Sequence, residues 1–150
     1  MLLAIDIGNS NVSIGVFRGE ELLTRARLSA RRERSADEFA AAIFDQFRLA
    51  GVERGDIDGC VLSSVAPSLT GLVEAGVARL TDARVLRVGP GIRTGFPIRI
   101  DDPSQVGGDL VADTLAAIRL YGPPLIVVDA GTVTTIAAVD SAGAYLGGCI

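Results

Sequence analysis

Hydrophobic and polar positions change rhythm several times along this chain. An apolar run, Leu2–Ile5, stops at Asp6, and the small polar stretch Gly8-Asn9-Ser10-Asn11 follows as a turn. Val12–Phe17 is a second apolar run, Arg18-Gly19-Glu20 a second turn, and Glu21–Leu28 alternates, so the chain opens with three hairpin-linked strands. The rhythm then becomes helical. Ser35 with Glu38 three residues on forms a capping-box signature, Phe39, Ala42, Ile43, Phe47 and Leu49 recur at near-helical spacing, and Gly51 is the stop. Ile57–Val65 reads as a buried strand, Pro67 opens a helix to about Leu80, and Val85–Val88 is a short strand.

Gly89 to Pro103 is rich in Gly, Pro and Arg, and the lobe boundary is placed there, giving lobes 1–103 and 104–150. The pattern next predicts a helix from about Asp109 to Tyr121, with Leu110, Leu115, Ile118 and Leu120 as its apolar positions. Strands over Leu125–Asp129 and Thr134–Val139 flank a Gly131-Thr132 turn, and Ala144–Ile150 begins another strand.

Composition narrows the chemistry. With 49% hydrophobic and 21% charged residues the chain reads as globular, and a net charge of −4 argues against nucleic-acid or anionic-membrane binding. The densest basic cluster, Arg31, Arg32 and Arg34, reads as a solvated loop. Leu2–Ile5 is too short for a signal peptide, and the apolar stretch Leu125–Val139 is too short and polar to span a bilayer, so a cytoplasmic protein is expected. Cys60 and Cys149 form no metal or redox motif and read as reduced, buried thiols. There is no His, and all 14 basic residues are Arg. A Ser-His-Asp triad, a His-ligated zinc, a Schiff-base lysine and a Walker A lysine are therefore excluded within this chain. Acid–base work near neutral pH falls to a carboxylate.

One repeat carries the functional reading. LLAIDIGNSNVSIGVF and LIVVDAGTVTTIAAVD superpose so that Asp6 falls on Asp129, Gly8 on Gly131 and Asn9 on Thr132. Each copy is an apolar strand ending in Asp-x-Gly-(Asn/Thr), followed by a second apolar strand. A Gly turn lets backbone N–H groups approach phosphate oxygens, and Asn9, Ser10, Asn11, Thr132 and Thr134 add polar side chains. Asp6 and Asp129 are suited to hold a hydrated Mg²⁺; the alternative is that each only fixes its own turn.

This duplication resembles the acetate-and-sugar-kinase, heat-shock and actin superfamily, whose α/β lobes are ribonuclease-H-like. That implies a complete first lobe and the start of a second. DIGNSN with VSIGVF, SSVAPSLT (Ser63 to Thr70), GIRTGFPIRIDDPSQVGGD (Gly91 to Asp109) and VVDAGTVTTIAAVDSAGAYLGG (Val127 to Gly148) together resemble type III pantothenate kinases. The resemblance implies ATP-dependent phosphorylation of the pantothenate primary hydroxyl, the first step of coenzyme A synthesis. It also implies Mg²⁺, a monovalent cation (K⁺ or NH₄⁺), and a homo- or hetero-dimer with a family-related chain. Carried over by position, Asp109 is the general base, Asp6 and Asp129 organise metal and phosphate, and Gly8, Asn9, Ser10, Asn11, Gly131, Thr132 and Thr134 line the ATP phosphates. Ile100, Gly107, Gly108 and Asp109 fall on the substrate-binding positions. A second role for Asp109 is N-cap of the helix that follows, and a helix N-terminus favours negative charge there.

Two positions depart from the family: Leu110 replaces the usual Arg after the catalytic Asp, and Ile100 replaces the usual Tyr nine positions before it. Both family residues help hold pantothenate; Arg93 and Arg99 lie nearby in sequence as candidates to compensate. Family chains are longer, so the adenosine region is expected outside these residues, and a partner or further chain is expected to complete a kinase. The competing readings are a non-catalytic paralogue or subunit with a regulatory or assembly role, and a superfamily kinase acting on another hydroxyl such as a sugar's.

Overall fold

A computed structural model describes residues 1–31, 33–89 and 92–150. Arg32 of the basic cluster and Gly91 at the start of the family-like segment lie outside the described residues. The chain forms two compact units, Met1–Arg87 and Val88–Ile150. Gly89 and residues 92–103, which the sequence reading put with the first lobe, cluster with the second unit. Ile98 pairs with Tyr145, and Tyr145 N–H donates to Pro97 O (2.9 Å) while Arg99 N–H donates to Tyr145 O (2.8 Å).

The first unit is a mixed sheet with two helices. Its strands are β1 (Leu2–Ile7), β2 (Asn11–Arg18), β3 (Glu21–Ser29), β4 (Gly59–Ser64) and β5 (Val85–Val88), ordered β3-β2-β1-β4-β5. β1 runs antiparallel to β2 and parallel to β4. Alternation explains the core: Leu3, Ile5 and Ile7 of β1, Val12, Ile14 and Val16 of β2, and Cys60 and Leu62 of β4 share one buried face. Helices α1 (Ala36–Ala50) and α2 (Pro67–Ala78) contribute Phe39, Ile43, Phe47, Leu69, Val73 and Val77 to the same core.

Local chemistry sets the α1 boundaries. Ser35 Oγ accepts from Glu38 N–H (3.3 Å) while Glu38 Oε2 accepts from Ser35 N–H (2.7 Å), a complete capping box. Gly51, at φ 63°, closes the helix in the left-handed region. Leu49, counted on the apolar stripe by its spacing, is 78% exposed; the helix buries Phe39, Ala40, Ile43 and Phe47 instead. α1 and α2 touch at Gly76, where a Cβ would meet Ala36 O at 2.9 Å.

The second unit holds α3 (Gly108–Tyr121) and the antiparallel sheet β6 (Leu125–Ala130), β7 (Thr134–Val139) and β8 (Tyr145–Cys149), in that order. Its core gathers Val106, Val111, Ala137 and Tyr145, with Phe96, Ile98, Ile100, Leu110 and Val127 packed around them. The expected α3 stripe is displaced: Leu115 and Leu120 are exposed, and Gly108, Val111 and Thr114 are buried. Cys60 is buried as expected, but Cys149 is exposed because it lies near the end of β8, beyond the packed part of the strand. Among the described residues no helix is long and apolar enough to cross a membrane.

Candidate phosphate and substrate sites

The two hairpins repeat in three dimensions what they repeat in sequence. In the first, Asp6 of β1 stands opposite Ser13 of β2; in the second, Asp129 of β6 stands opposite Thr135 of β7. Each strand-end aspartate thus has a hydroxyl residue directly across the antiparallel pair, on the same face. Sequence reading chose Ser10, Asn11 and Thr134 and passed over Ser13 and Thr135. Both are recoverable only from register, which a linear motif does not carry.

The first turn is closed by Gly8 N–H donating to Asn11 O at 2.8 Å. A Cβ at Gly8 would stand 3.2 Å from that oxygen, so the tight approach favours glycine. This bond commits the Gly8 N–H to the turn itself, so its amide is not a spare phosphate donor. Asn9 and Ser10 are exposed at the tip, Asn11 is half-buried where β2 begins, and Ser10 O accepts from Ala30 N–H (2.9 Å). In the second hairpin Asp129, Gly131, Thr132 and Thr134 are all exposed. A Cβ at Gly131 would lie 3.4 Å from Asp129 Oδ2, so this glycine leaves the carboxylate room. A hollow of about 280 Å³ between α3 and β6 has Asp113 and Asp129 among its lining residues, with Ala116, Ala117, Leu120, Tyr121, Val127 and Val128.

Asp109 sits at the start of α3, but not as its cap. Gly107 is the N-cap and Gly108 the first helical residue, which places Asp109 in the first turn. Its Oδ1 accepts from Leu110 N–H at 2.8 Å. One carboxylate oxygen is thereby anchored to backbone. Gly107 adjoins the same oxygen: a Cβ there would fall well inside contact distance of Asp109 Oδ1.

Tyr145, which sequence reading did not select, lies 3% exposed in the core that contains Leu110 and Val111. Burial first, and the negative charge of Asp109 second, push its phenol pKa up. Its hydroxyl would stand 3.0 Å from a Cβ on Gly148, and Ile100 lies 3.8 Å from the corresponding position on Gly147. Ile100 and Leu110 are half-buried members of this core. Of the two nearby cations, Arg99 is engaged by Asp140 (3.1 Å) and Arg93 is exposed. A separate cavity of about 250 Å³ is lined by Gly89, Ile92, Thr94, Phe96, Ile98, Pro103, Ser104, Val106 and Val111.

Among the described residues no three His, Cys, Asp or Glu side chains gather into a metal cage. The donors present are single carboxylates with hydroxyls opposite, Asp6 with Ser13 and Asp129 with Thr135. That set fits Mg²⁺, which keeps several waters and takes one or two carboxylates plus substrate phosphate.

Comparison with known proteins agrees with this layout. The profile of the type III pantothenate kinase family matches residues 2–150. Type III pantothenate kinases of Moorella thermoacetica and Listeria innocua are 41% and 40% identical to it over 150 residues, the whole of this chain. The chain spans 59% and 58% of their respective lengths. Among solved structures, the ADPNP-bound activator of the 2-hydroxyisocaproyl-CoA dehydratase from Clostridium difficile superposes with a TM-score of 0.60 at 13% identity, over 99% of this chain and 44% of that one. The ROK hexokinase of Thermus thermophilus gives 0.51 at 17% identity, over 97% and 48%. The α/β architecture is therefore that of the actin-like, sugar-kinase-type fold.

Proposed function

The chain belongs to the type III pantothenate kinase family, and on that premise we propose that it carries the phosphate hairpins and the general base of an enzyme phosphorylating pantothenate with ATP. The observation that supports this most is the paired arrangement of Asp6 with Ser13 and Asp129 with Thr135, in a chain matched by the family along its length.

In this reading Asp109 accepts the proton from the pantothenate primary hydroxyl as its oxygen bonds to the γ-phosphorus and the bond to ADP breaks. The Leu110 N–H holds Oδ1, so Oδ2 is the oxygen that meets the substrate. Phosphoryl transfer depends chiefly on alignment and charge neutralisation, so an oriented carboxylate suffices as the base. Asn9, Ser10, Asn11, Thr132 and Thr134 contact the phosphates, with Gly8 and Gly131 keeping the turns compact. Asp6 and Asp129 would hold Mg²⁺, which neutralises phosphate charge when bound. Gly107, Gly108 and the half-buried Ile100 border the substrate. The monovalent cation and the dimer enter through family resemblance; turnover in K⁺ or NH₄⁺ against Na⁺ tests the first, and sedimentation the second.

A second reading, a non-catalytic family member or subunit, draws on Leu110 and Ile100. Both are built into the apolar core and offer no hydrogen bond to a substrate carboxylate. The experiment that separates the two is mass-spectrometric detection of phosphopantothenate from ATP, Mg²⁺ and pantothenate, with the protein as its source makes it. Product that disappears in Asp109→Asn, with ATP binding retained, supports the kinase. A preparation that binds ATP and yields no product supports the second reading.

A further inference from the structure

Ser63 is 6% exposed, and its Oγ has no hydrogen-bond partner among the described residues. A buried hydroxyl left unpaired is unfavourable, and alanine would fill the same place without that cost. The position of this hydroxyl is specific. Ser63 of β4 is the parallel-strand partner of Asp6 of β1, whose antiparallel partner is Ser13 of β2. The three residues form one row across adjacent strands, Ser13–Asp6–Ser63.

The next residue fixes the face. Ser64 Oγ bonds Thr70 Oγ1 of α2 at 2.8 Å, so Ser64 looks toward the helices. Strand alternation turns Ser63 to the opposite face, with Asp6. The row also lies one residue before the carboxyl ends of β1 and β4, the end at which parallel α/β sheets receive ligands.

We propose that Ser63 is a ligand-binding residue of the first phosphate hairpin: its hydroxyl, beside Asp6, bonds the water shell of a phosphate-bound divalent cation. This rests on the nucleotide reading above. It explains why a serine with no internal partner occupies a buried position next to the strand-end aspartate.

The test compares wild type, Ser63→Ala and Ser63→Thr, in the protein as its source makes it. Melting temperature is read without ligand, and affinity by calorimetry for Mg·ATP, Mg·tripolyphosphate and metal-free ATP in EDTA. Ser63→Ala is expected to melt no lower than wild type without ligand, because it removes an unpaired group. It should bind both Mg-loaded polyphosphates about tenfold more weakly, the loss of one hydrogen bond in a charged network, and metal-free ATP unchanged. Ser63→Thr, which keeps the hydroxyl, should recover most of the affinity. A lower melting temperature without ligand for Ser63→Ala overturns the proposal, since the hydroxyl then has an internal partner. Unchanged Mg·ATP affinity overturns it too, and leaves the nucleotide reading standing. Wild-type protein that binds neither polyphosphate sinks both.

Discussion

Gly107→Ala tests the placement of Asp109 without touching its carboxylate. Gly107 has φ −61° and ψ 151°, a conformation alanine adopts without strain. The added methyl meets one obstacle, the Asp109 side chain, whose Oδ1 it overlaps and whose Cγ lies 3.6 Å away. To restore an ordinary contact of about 3.5 Å, Oδ1 has to retreat by roughly 1 Å. That oxygen is also the one held by Leu110 N–H, so the anchor goes with it. Stability changes little, because less unfolded-state entropy favours alanine by about 0.4–1 kcal/mol and the lost hydrogen bond costs about 0.5–1.5 kcal/mol. Turnover is another matter. A misplacement of about 1 Å in a reacting group lowers the rate about a hundredfold, which is about 2.7 kcal/mol of barrier. The assay is kcat for pantothenate phosphorylation, with ATP affinity and a urea melt run on the same preparation. A kcat within about threefold of wild type at unchanged stability refutes the reasoning, because a misplacement of about 1 Å implies a loss of roughly a hundredfold: either Asp109 is not the base, or its position relative to Gly107 is immaterial.

Three further predictions use the thiols and phenols as reporters. Iodoacetamide should modify exposed Cys149 and spare Cys60 in the folded protein; equal labelling of both contradicts the assigned burial. Burial, then the charge of Glu74, push the Cys60 thiol from 9.0 up to about 11. The unfolded chain therefore ionises first, and the urea midpoint should fall as pH rises from about 9 to about 11, a slope that Cys60→Ala reduces. A wild-type slope retained in Cys60→Ala assigns it elsewhere. The chain has two tyrosines and no tryptophan, so phenolate absorbance resolves Tyr145 against the exposed Tyr121. Asp109→Asn should move the Tyr145 titration downward, part of the way to its ordinary value, because burial remains after the charge is gone. An unmoved Tyr145 means that the two side chains do not sense each other.

What was legible in the sequence was local. The α1 boundaries were legible because the Ser35–Glu38 capping box and the left-handed Gly51 are short-range chemistry. The opening strands were legible because alternation is a property of one strand. The Asp-x-Gly repeat was visible because it is contiguous. Register is not contiguous, and it decides which hydroxyl stands beside each aspartate. Ser13, Ser63 and Thr135 were invisible for that reason, as was Tyr145, which is 36 positions from Asp109 in sequence and within its electrostatic reach in the fold. The capping role offered for Asp109 missed by two residues, because Gly107-Gly108 lets the helix begin earlier than the first polar side chain suggests.

The duplication also explains where burial was misread. Counted from the strand-end aspartate, Leu3, Ile5 and Ile7 of β1 correspond to Ile126, Val128 and Ala130 of β6. The first three are 0–3% exposed under α1 and α2, whereas Ile126 and Val128 are 63% and 60% exposed. The opposite face of β6 contributes Val127 to the core around Tyr145. Periodicity reports which face a side chain occupies and is silent on whether anything covers that face. In the first unit the covering helices follow the third strand in chain order, and the counterpart of that third strand is β8. The exposed face of β6 is therefore a difference in cover among the described residues and not in the sheet, since β6–β7–β8 keeps the strand order and the aspartate–hydroxyl pairing of β1–β2–β3.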